Sequence, residues 1–346
     1  AGGPVSRLRE VTRRAGAAWD ADIVVVHNPE IRPVPGVIAV GLPSAIAWIP
    51  PWPRRLLEPW LLRRAVGRLA VSAVIHYGSY VPMRRVAGVR NVLFLVNLAP
   101  WDPGEGSRTL RNRILRLLFH ATLPQADLVV VQSAATEAFV LQRYPQLAGR
   151  IAAVRNGCSV PELTRPAAPR GFLAVGHVYQ YRRLDEVVRA YAQLPAAVRE
   201  RHGLTVIGHL GRDAGAVRSL RQEIERLQLT DTVALVGPLT RDEVMERLIN
   251  ARAFVSFSAI DNGPNAVQEA AALGVSMVLS DIPVHRELAD GLARYATTVS
   301  ELSEAMLAAA ETSGTPRSPS VRPTVQTWQQ HVDELGALLR GVHALP

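Results

Sequence analysis

The feature that most restricts this chain is a repeating alternation of short apolar runs, rich in β-branched residues, with stretches of helical periodicity. In the first half the runs are ADIVVVHN (21–28), GVIAVG (36–41), AVSAVIHYG (70–78), VRNVLFLVN (89–97), ADLVVVQS (126–133) and GRIAAVRNG (149–157). Runs of this length without polar alternation are buried on both faces, which is the mark of a parallel sheet. Helical patterns at Pro53–Leu69, Arg108–Leu123 and Ser133–Arg143 lie between several of them, the last opening on Ser133 as an N-cap. A proline-rich stretch, CSVPELTRPAAPRG (158–171), then reads as a connection between domains. After it comes a second series of strands: FLAVGH (172–177), LTVIGH (204–209), VALVG (233–237), AFVSFS (253–258) and SMVLSD (276–281). Helices are expected between them at Leu184–Leu194, Ala214–Leu227, Arg241–Asn250 and Pro264–Leu273. The pattern predicts an α/β protein with two doubly wound, Rossmann-like domains.

Composition narrows the chemistry. The 346 residues suit two domains at ~150 residues each, and 48% hydrophobic with 20% charged residues excludes disorder for most of the chain. All 39 basic residues are arginine. Without lysine there is no Walker-type phosphate loop, no Schiff base and no pyridoxal phosphate linkage. Cys158 is the single cysteine, which excludes a disulfide framework and any multi-cysteine metal site. The net charge of +9 is uneven: residues 1–165 hold 21 Arg against 10 acidic residues, and 166–346 hold 18 against 20. An anionic partner is therefore expected at the first half. A GC-rich coding bias also accounts for arginine replacing lysine. No stretch of signal-peptide character opens the chain, and the uncharged run between Arg32 and Arg54 is broken by six prolines, so a cytoplasmic protein, peripheral on the inner face of a membrane, is expected.

The most informative segment is FVSFSAIDNGPNAVQEAAALG (254–274). A strand ends at Ser258, a loop carries Asp261, Asn262 and Gly263, and a helix follows from Pro264. The amides of Gly263, Asn265 and Ala266 then emerge at a helix N-terminus, which favours a phosphate or pyrophosphate. Asp261 and Glu269 stand eight positions apart, so both carboxylates can face one crevice and accept sugar or ribose hydroxyls. A capping Asp261 and a solvated Glu269 suit the same spacing.

This segment resembles the E-x7-E element of the retaining glycosyltransferases of family 4, which have the GT-B fold. The resemblance extends over essentially the whole chain and is stronger in its second half. It implies that Glu269 binds the ribose of a nucleotide diphosphate sugar and that Asp261, one methylene shorter than the family's glutamate, lies against the donor sugar. VGHVYQYRRLDEVVRAYAQL (175–194) is similar to the family's glycine turn, basic residue and helix, which makes Arg182, or Arg183 in the alternate register, the grip on the donor pyrophosphate. His177 stands where many members have another arginine. VALVGPLTRDEV (233–244) resembles the base-binding turn around Gly237. The resemblance implies an acceptor-binding domain at 1–163, a donor-binding domain at 164–323 facing it across a cleft, and a last helix at 324–346 that crosses back onto the first, with Trp328 at the hinge.

In the first half, VRNVLFLVNLAPWDP (89–103) resembles the acceptor-side loop in which many members carry a histidine; here Val96 and Asn97 stand in that place, and His76 is a candidate replacement. A strand-end histidine held structurally fits His76 equally. The chain opens directly on AGGPVSRLRE, where such domains have a strand and a Gly-rich loop; Gly2 and Gly3 are expected to line the acceptor side near the donor phosphates. The expected reaction is metal-independent transfer of a sugar, with retention, from a nucleotide diphosphate sugar as donor substrate, with no cofactor, to a hydroxyl acceptor that is anionic, phosphorylated or lipid-linked. The basic, apolar segments 50–71 and 107–123 suit contact with a membrane surface, or two domain helices with arginine-rich outer faces. No nucleic-acid reader motif is present. A non-catalytic partner subunit and a nucleotide-sugar epimerase remain as other readings.

Overall fold

The computed structural model describes residues 3–19, 24–27, 38–41, 59–64, 66–68, 71–102, 104, 109–161, 168–211, 213–312 and 325–341. Two compact units divide the chain: one comprises residues 2–100, 109–157 and 326–346, the other 101–108 and 158–325. The change of unit falls at 157/158, ahead of the proline-rich stretch rather than within it. The last helix groups with the first half.

In the C-terminal unit six parallel strands are ordered β12-β11-β10-β7-β8-β9. They are β7 (Phe172–Val175), β8 (Leu204–Ile207), β9 (Val233–Val236), β10 (Ala253–Ser256), β11 (Met277–Ser280) and β12 (Ala293–Ala296). Every residue of β10 and β11 is buried, as expected of parallel strands covered on both faces. The chain builds outward from β7 through β8 to β9, then returns to β10 on the opposite side of β7. Strand order therefore reverses between β7 and β10, the position at which open α/β sheets receive ligands. The core below this point joins Phe172, Tyr191, Val206, Leu220, Val255, Leu302 and Met306.

The helices of this unit sit close to their expected places: Leu184–Ala192, Ala214–Arg226, Arg241–Asn250 and Asn265–Ala272. Arg241–Asn250 starts with a capping box, in which Thr240 accepts from Glu243 N and Glu243 reaches back to the Thr240 backbone. Thr240→Ala is expected to cost about 1 kcal/mol, read as a lower midpoint in urea with an unchanged slope. Among the described residues, the short helix Ala196–Arg201, strand β12 and the helix Val299–Glu311 are elements that lie outside the sequence expectation. β12, at the sheet edge, reads ARYA with only Ala296 fully buried, so it lacks the apolar run that marks the other strands.

The N-terminal unit has a parallel pair, β1 (Val24–His27) with β2 (Ile38–Gly41), and a parallel sheet β3-β4-β5-β6. The latter holds β3 (Ala73–Gly78), β4 (Arg90–Leu95), β5 (Leu128–Val131) and β6 (Ile151–Ala153). All six strands fall within the expected runs. Ser133 caps the helix Ala134–Arg143 by accepting from Thr136 N, and the helix expected at Arg108–Leu123 spans Leu110–Thr122. Of the expected helix Pro53–Leu69, residues 59–64 and 66–68 are helical, and the remainder lies outside the described residues.

The reading of the chain's opening as a loop is corrected. Gly3 is the first residue of a helix, Gly3–Trp19, while Gly2 lies outside the described residues. Pro4 is compatible with this, because a first-turn residue needs no N–H. This helix packs against the last one, Trp328–Gly341, through Val11, Ala15, Trp328 and Val332, and Trp19 Nε1 donates to Val332 O at 2.9 Å. Leu335 seals the second layer against Val92, Phe94, Leu128, Val130 and Val154 of the sheet region.

Candidate active site

The loops that leave the carboxyl ends of β7 and β10 meet at the switch point. Ala259 N donates to Tyr181 O at 2.8 Å, tying one loop to the other. After β7 the chain turns at Gly176 (φ +146°), where a Cβ would stand 3.1 Å from the Cζ and Nε of Arg182. Glycine is needed for the left-handed backbone and for the guanidinium beside it. Arg182 ends a short 3-10 turn and Arg183 follows in the left-handed region (φ 47°).

Arg182 Nη1 stands 3.5 Å from Asp261 Oδ2, with both side chains largely buried. Asp261 Oδ1 accepts from Asn262 N at 2.8 Å, an Asx arrangement that fixes the carboxylate. The guanidinium also lies 5.6 Å from the Tyr181 ring, and Tyr181 stacks on Tyr179 with centroids 5.5 Å apart. Burial raises the Tyr181 hydroxyl above its ordinary range and Arg182 opposes that shift. From the β11 side, Ser280 Oγ donates to Ser258 O at 2.8 Å and lies 3.1 Å from His285 Nδ1. Burial lowers the His285 pKa, while the charge of Asp261 pulls it upward.

Four buried polar atoms here have no hydrogen-bond partner: Arg182 Nε, Asp261 Oδ2, Ser258 Oγ and His285 Nε2. Buried polar groups are nearly always satisfied, and two of these residues, Arg182 and Ser258, line a small pocket together with Gly176 and Ser256, which marks a place for a polar ligand. Sequence reasoning identified Arg182 and Asp261. It missed Ser258, Ser280 and His285, which carry no motif of their own beyond lying at strand ends.

Glu269 sits in a separate cluster. It lies in the second turn of Asn265–Ala272, is buried, and accepts a 2.7 Å hydrogen bond from Arg241 Nη1, whose Nη2 donates to Ser159 O. Burial raises the Glu269 carboxyl above its usual range and Arg241 opposes it. The two acidic residues of the motif are therefore held by different arginines, and Arg241 is a partner the sequence did not reveal. Cys158 lies close by; burial first, then Glu269, pushes its thiol up to about 12, so it has little thiolate character. The helix itself begins at Asn265, one residue later than expected. Pro264 is its N-cap, with no side chain capping the first turn; Gly263 is buried, and Asn265 and Ala266 are half-buried.

The remaining candidates are placed as follows. Arg183 pairs with Glu186 at 3.7 Å on the helix surface. Gly237 follows β9 with open space where a Cβ would stand, so the fold does not require glycine there. In the N-terminal unit Asn97 is half-buried and its Oδ1 accepts from Ala99 N at 2.9 Å, a turn contact. His76 is buried on β3 with Nε2 3.1 Å from Asn91 Oδ1, and burial lowers its pKa. Gly3 is helical in the same unit. Among the described residues no group of three or more His, Cys, Asp or Glu is placed to hold a metal ion.

Comparison with known proteins fits this arrangement. Sucrose-phosphate synthase from Thermosynechococcus elongatus superimposes with a TM-score of 0.77 at 18% identity, covering 99% of this chain and 94% of that one. WaaG, a glycosyltransferase involved in lipopolysaccharide biosynthesis, gives 0.69 at 14% identity, covering 97% and 92%. HepE from Anabaena, solved in complex with UDP and glucose, gives 0.66 at 14% identity, covering 99% and 96%. No curated protein sequence matches. These likenesses establish the two-domain α/β fold of GT-B glycosyltransferases. Residues 160–310, which hold Arg182, Arg241, Asp261, Glu269 and His285, match the family described as glycosyl transferases group 1.

Proposed function

We propose that the protein is a retaining glycosyltransferase that transfers a sugar from a nucleotide diphosphate sugar to a hydroxyl acceptor without a metal ion. The observation that carries this reading is the pairing of Arg182 with Asp261 at the β7/β10 switch point, within the matched domain, amid buried polar atoms that lack partners. Arg182 stabilises the negative charge that develops on the departing diphosphate. Asp261 orients both Arg182 and the sugar. Glu269, turned by Arg241, accepts the ribose hydroxyls, and the turn at Gly237 meets the base. Catalysis rests on positioning and on charge stabilisation rather than on a protein nucleophile.

The acceptor is proposed to be anionic or lipid-linked. On the helix Leu110–Thr122, Leu110, Arg113 and Leu117 share one exposed face, and Trp60 is exposed with Arg64 5.5 Å from its ring. Apolar side chains beside arginines suit an anionic membrane surface. No helix among the described residues is long and apolar enough to cross a membrane.

A thermal-shift series with UDP, GDP, dTDP and ADP tests the donor site. One nucleotide is expected to raise the midpoint of the wild-type protein, and Glu269→Ala is expected to weaken its binding by about 10–100-fold, the worth of hydrogen bonds to a charged group. Equal stabilisation of both proteins would remove Glu269 from the site; stabilisation by none would favour a partner subunit without turnover.

A further inference from the structure

Arg7, on the helix Gly3–Trp19, points inward and is only 4% exposed. Its guanidinium carbon lies 5.1 Å from the Phe94 ring centroid, and Nη2 donates to Gln132 Oε1. Nε and Nη1 are buried without a hydrogen-bond partner among the described residues. Among the described residues no carboxylate pairs with it. Burial pushes its pKa down to about 10, and the one charge interaction that opposes this comes from the Tyr77 hydroxyl. A buried cation that lacks a counter-ion is costly, and native structures pair such charges.

Two more unsatisfied groups share the location. Tyr77 stacks on Phe94 with centroids 5.0 Å apart, and its buried hydroxyl has no partner. His331 comes from the last helix, its ring 6.1 Å from Phe94; Nδ1 donates to Arg155 O at 2.6 Å, so Nε2, also buried and unpartnered, is an acceptor in the neutral ring. Burial pushes His331 down to about 4, and the charge of Arg7 adds to this. Gln132 is already committed, since Oε1 also accepts from Asn156 Nδ2 and Nε2 donates to Leu95 O. Tyr77 and Phe94 lie at the carboxyl ends of β3 and β4, and Gln132 and Asn156 just beyond β5 and β6. That edge is where open α/β sheets bind ligands.

We propose that Arg7, Tyr77 and His331 form a phosphate-group site in the N-terminal unit, separate from the donor residues. Arg7 and the Tyr77 hydroxyl donate to anionic oxygens, and His331 Nε2 accepts from a phosphate O–H. This pattern of donors and one acceptor favours hydrogen phosphate or a phosphomonoester over sulfate, which carries no O–H at neutral pH. The site does not depend on the donor reading, because its residues all belong to the other unit.

The test is a thermal titration of the full chain with inorganic phosphate, glycerol phosphate and sulfate, in wild type, Arg7→Met, Tyr77→Phe and Glu269→Ala. Phosphate at about 100 times its Kd is expected to raise the wild-type midpoint by about 5 °C, with sulfate weaker. Arg7→Met should abolish that rise, while keeping its midpoint in phosphate-free buffer because a neutral side chain replaces an unpaired charge. Tyr77→Phe, which removes one oxygen, should weaken apparent phosphate affinity about threefold to tenfold, and it keeps the test open if Arg7→Met fails to fold. Glu269→Ala should respond as wild type does. Tighter binding of glycerol phosphate than of phosphate assigns the group to an organic ligand; the reverse assigns it to the free anion. A wild-type midpoint indifferent to phosphate, or a rise undiminished in both Arg7→Met and Tyr77→Phe, overturns the proposal.

Discussion

On the proposed function, Arg182→Ala is expected to lose about 10²–10³-fold in turnover of the nucleotide sugar, because it deletes a preorganised cation at the proposed diphosphate position. The side chain is already fixed before any ligand arrives, wedged beside Gly176 and within 3.5 Å of Asp261. Its charge therefore costs no reorganisation when negative charge develops. Arg182→Lys should recover only part of the loss, since a point charge cannot reproduce the planar fork. Steady-state rates with the donor identified by the nucleotide series would measure both variants. An unchanged kcat/KM in Arg182→Ala would sink the assignment, and melting curves would separate it from the destabilisation caused by an unpaired Asp261.

The second large effect concerns stability. Gly157→Ala would set a Cβ 2.4 Å from Trp328 Cα and 2.6 Å from its indole Cδ2. A backbone atom cannot retreat without shifting the whole Trp328–Gly341 helix from Val11 and Ala15, so a loss of about 2–3 kcal/mol is expected. Urea unfolding followed by tryptophan fluorescence reads it out. Gly67, with nothing within 4 Å of its Cβ position, is the control; alanine there should be neutral or stabilising. Equal midpoints for the two variants would mean that the contact yields freely.

The strands were legible because parallel strands buried on both faces must be continuous apolar runs; β5 and β11 are LVVV and MVLS, fully buried. β12 escaped because an edge strand needs no such run, and ARYA reads as a loop. The opening helix escaped because its glycines suggested a turn, although a helix tolerates Gly and Pro at its first positions. At the candidate site, spacing along one segment brought out Asp261 and Glu269. It could not show that each is held by a different arginine from elsewhere in the chain, because Arg182 and Arg241 reach them only through the sheet's winding. His285, Ser258 and Arg7 were invisible for the same reason: their significance lies in what surrounds them after folding, and a single buried arginine has no spacing to detect.

The docking of Trp328–Gly341 onto the N-terminal unit also sets an order of events during synthesis. The C-terminal unit is nearly contiguous in sequence, whereas the first unit lacks Trp328, Val332 and Leu335 until synthesis has passed the whole of the second. At ~5–20 residues/s the stretch between Gly157 and Trp328 takes roughly 10–30 s to appear. Throughout that interval the apolar faces of Val11, Ala15, Phe94 and Val130 await their cover. The half made first is thus completed last.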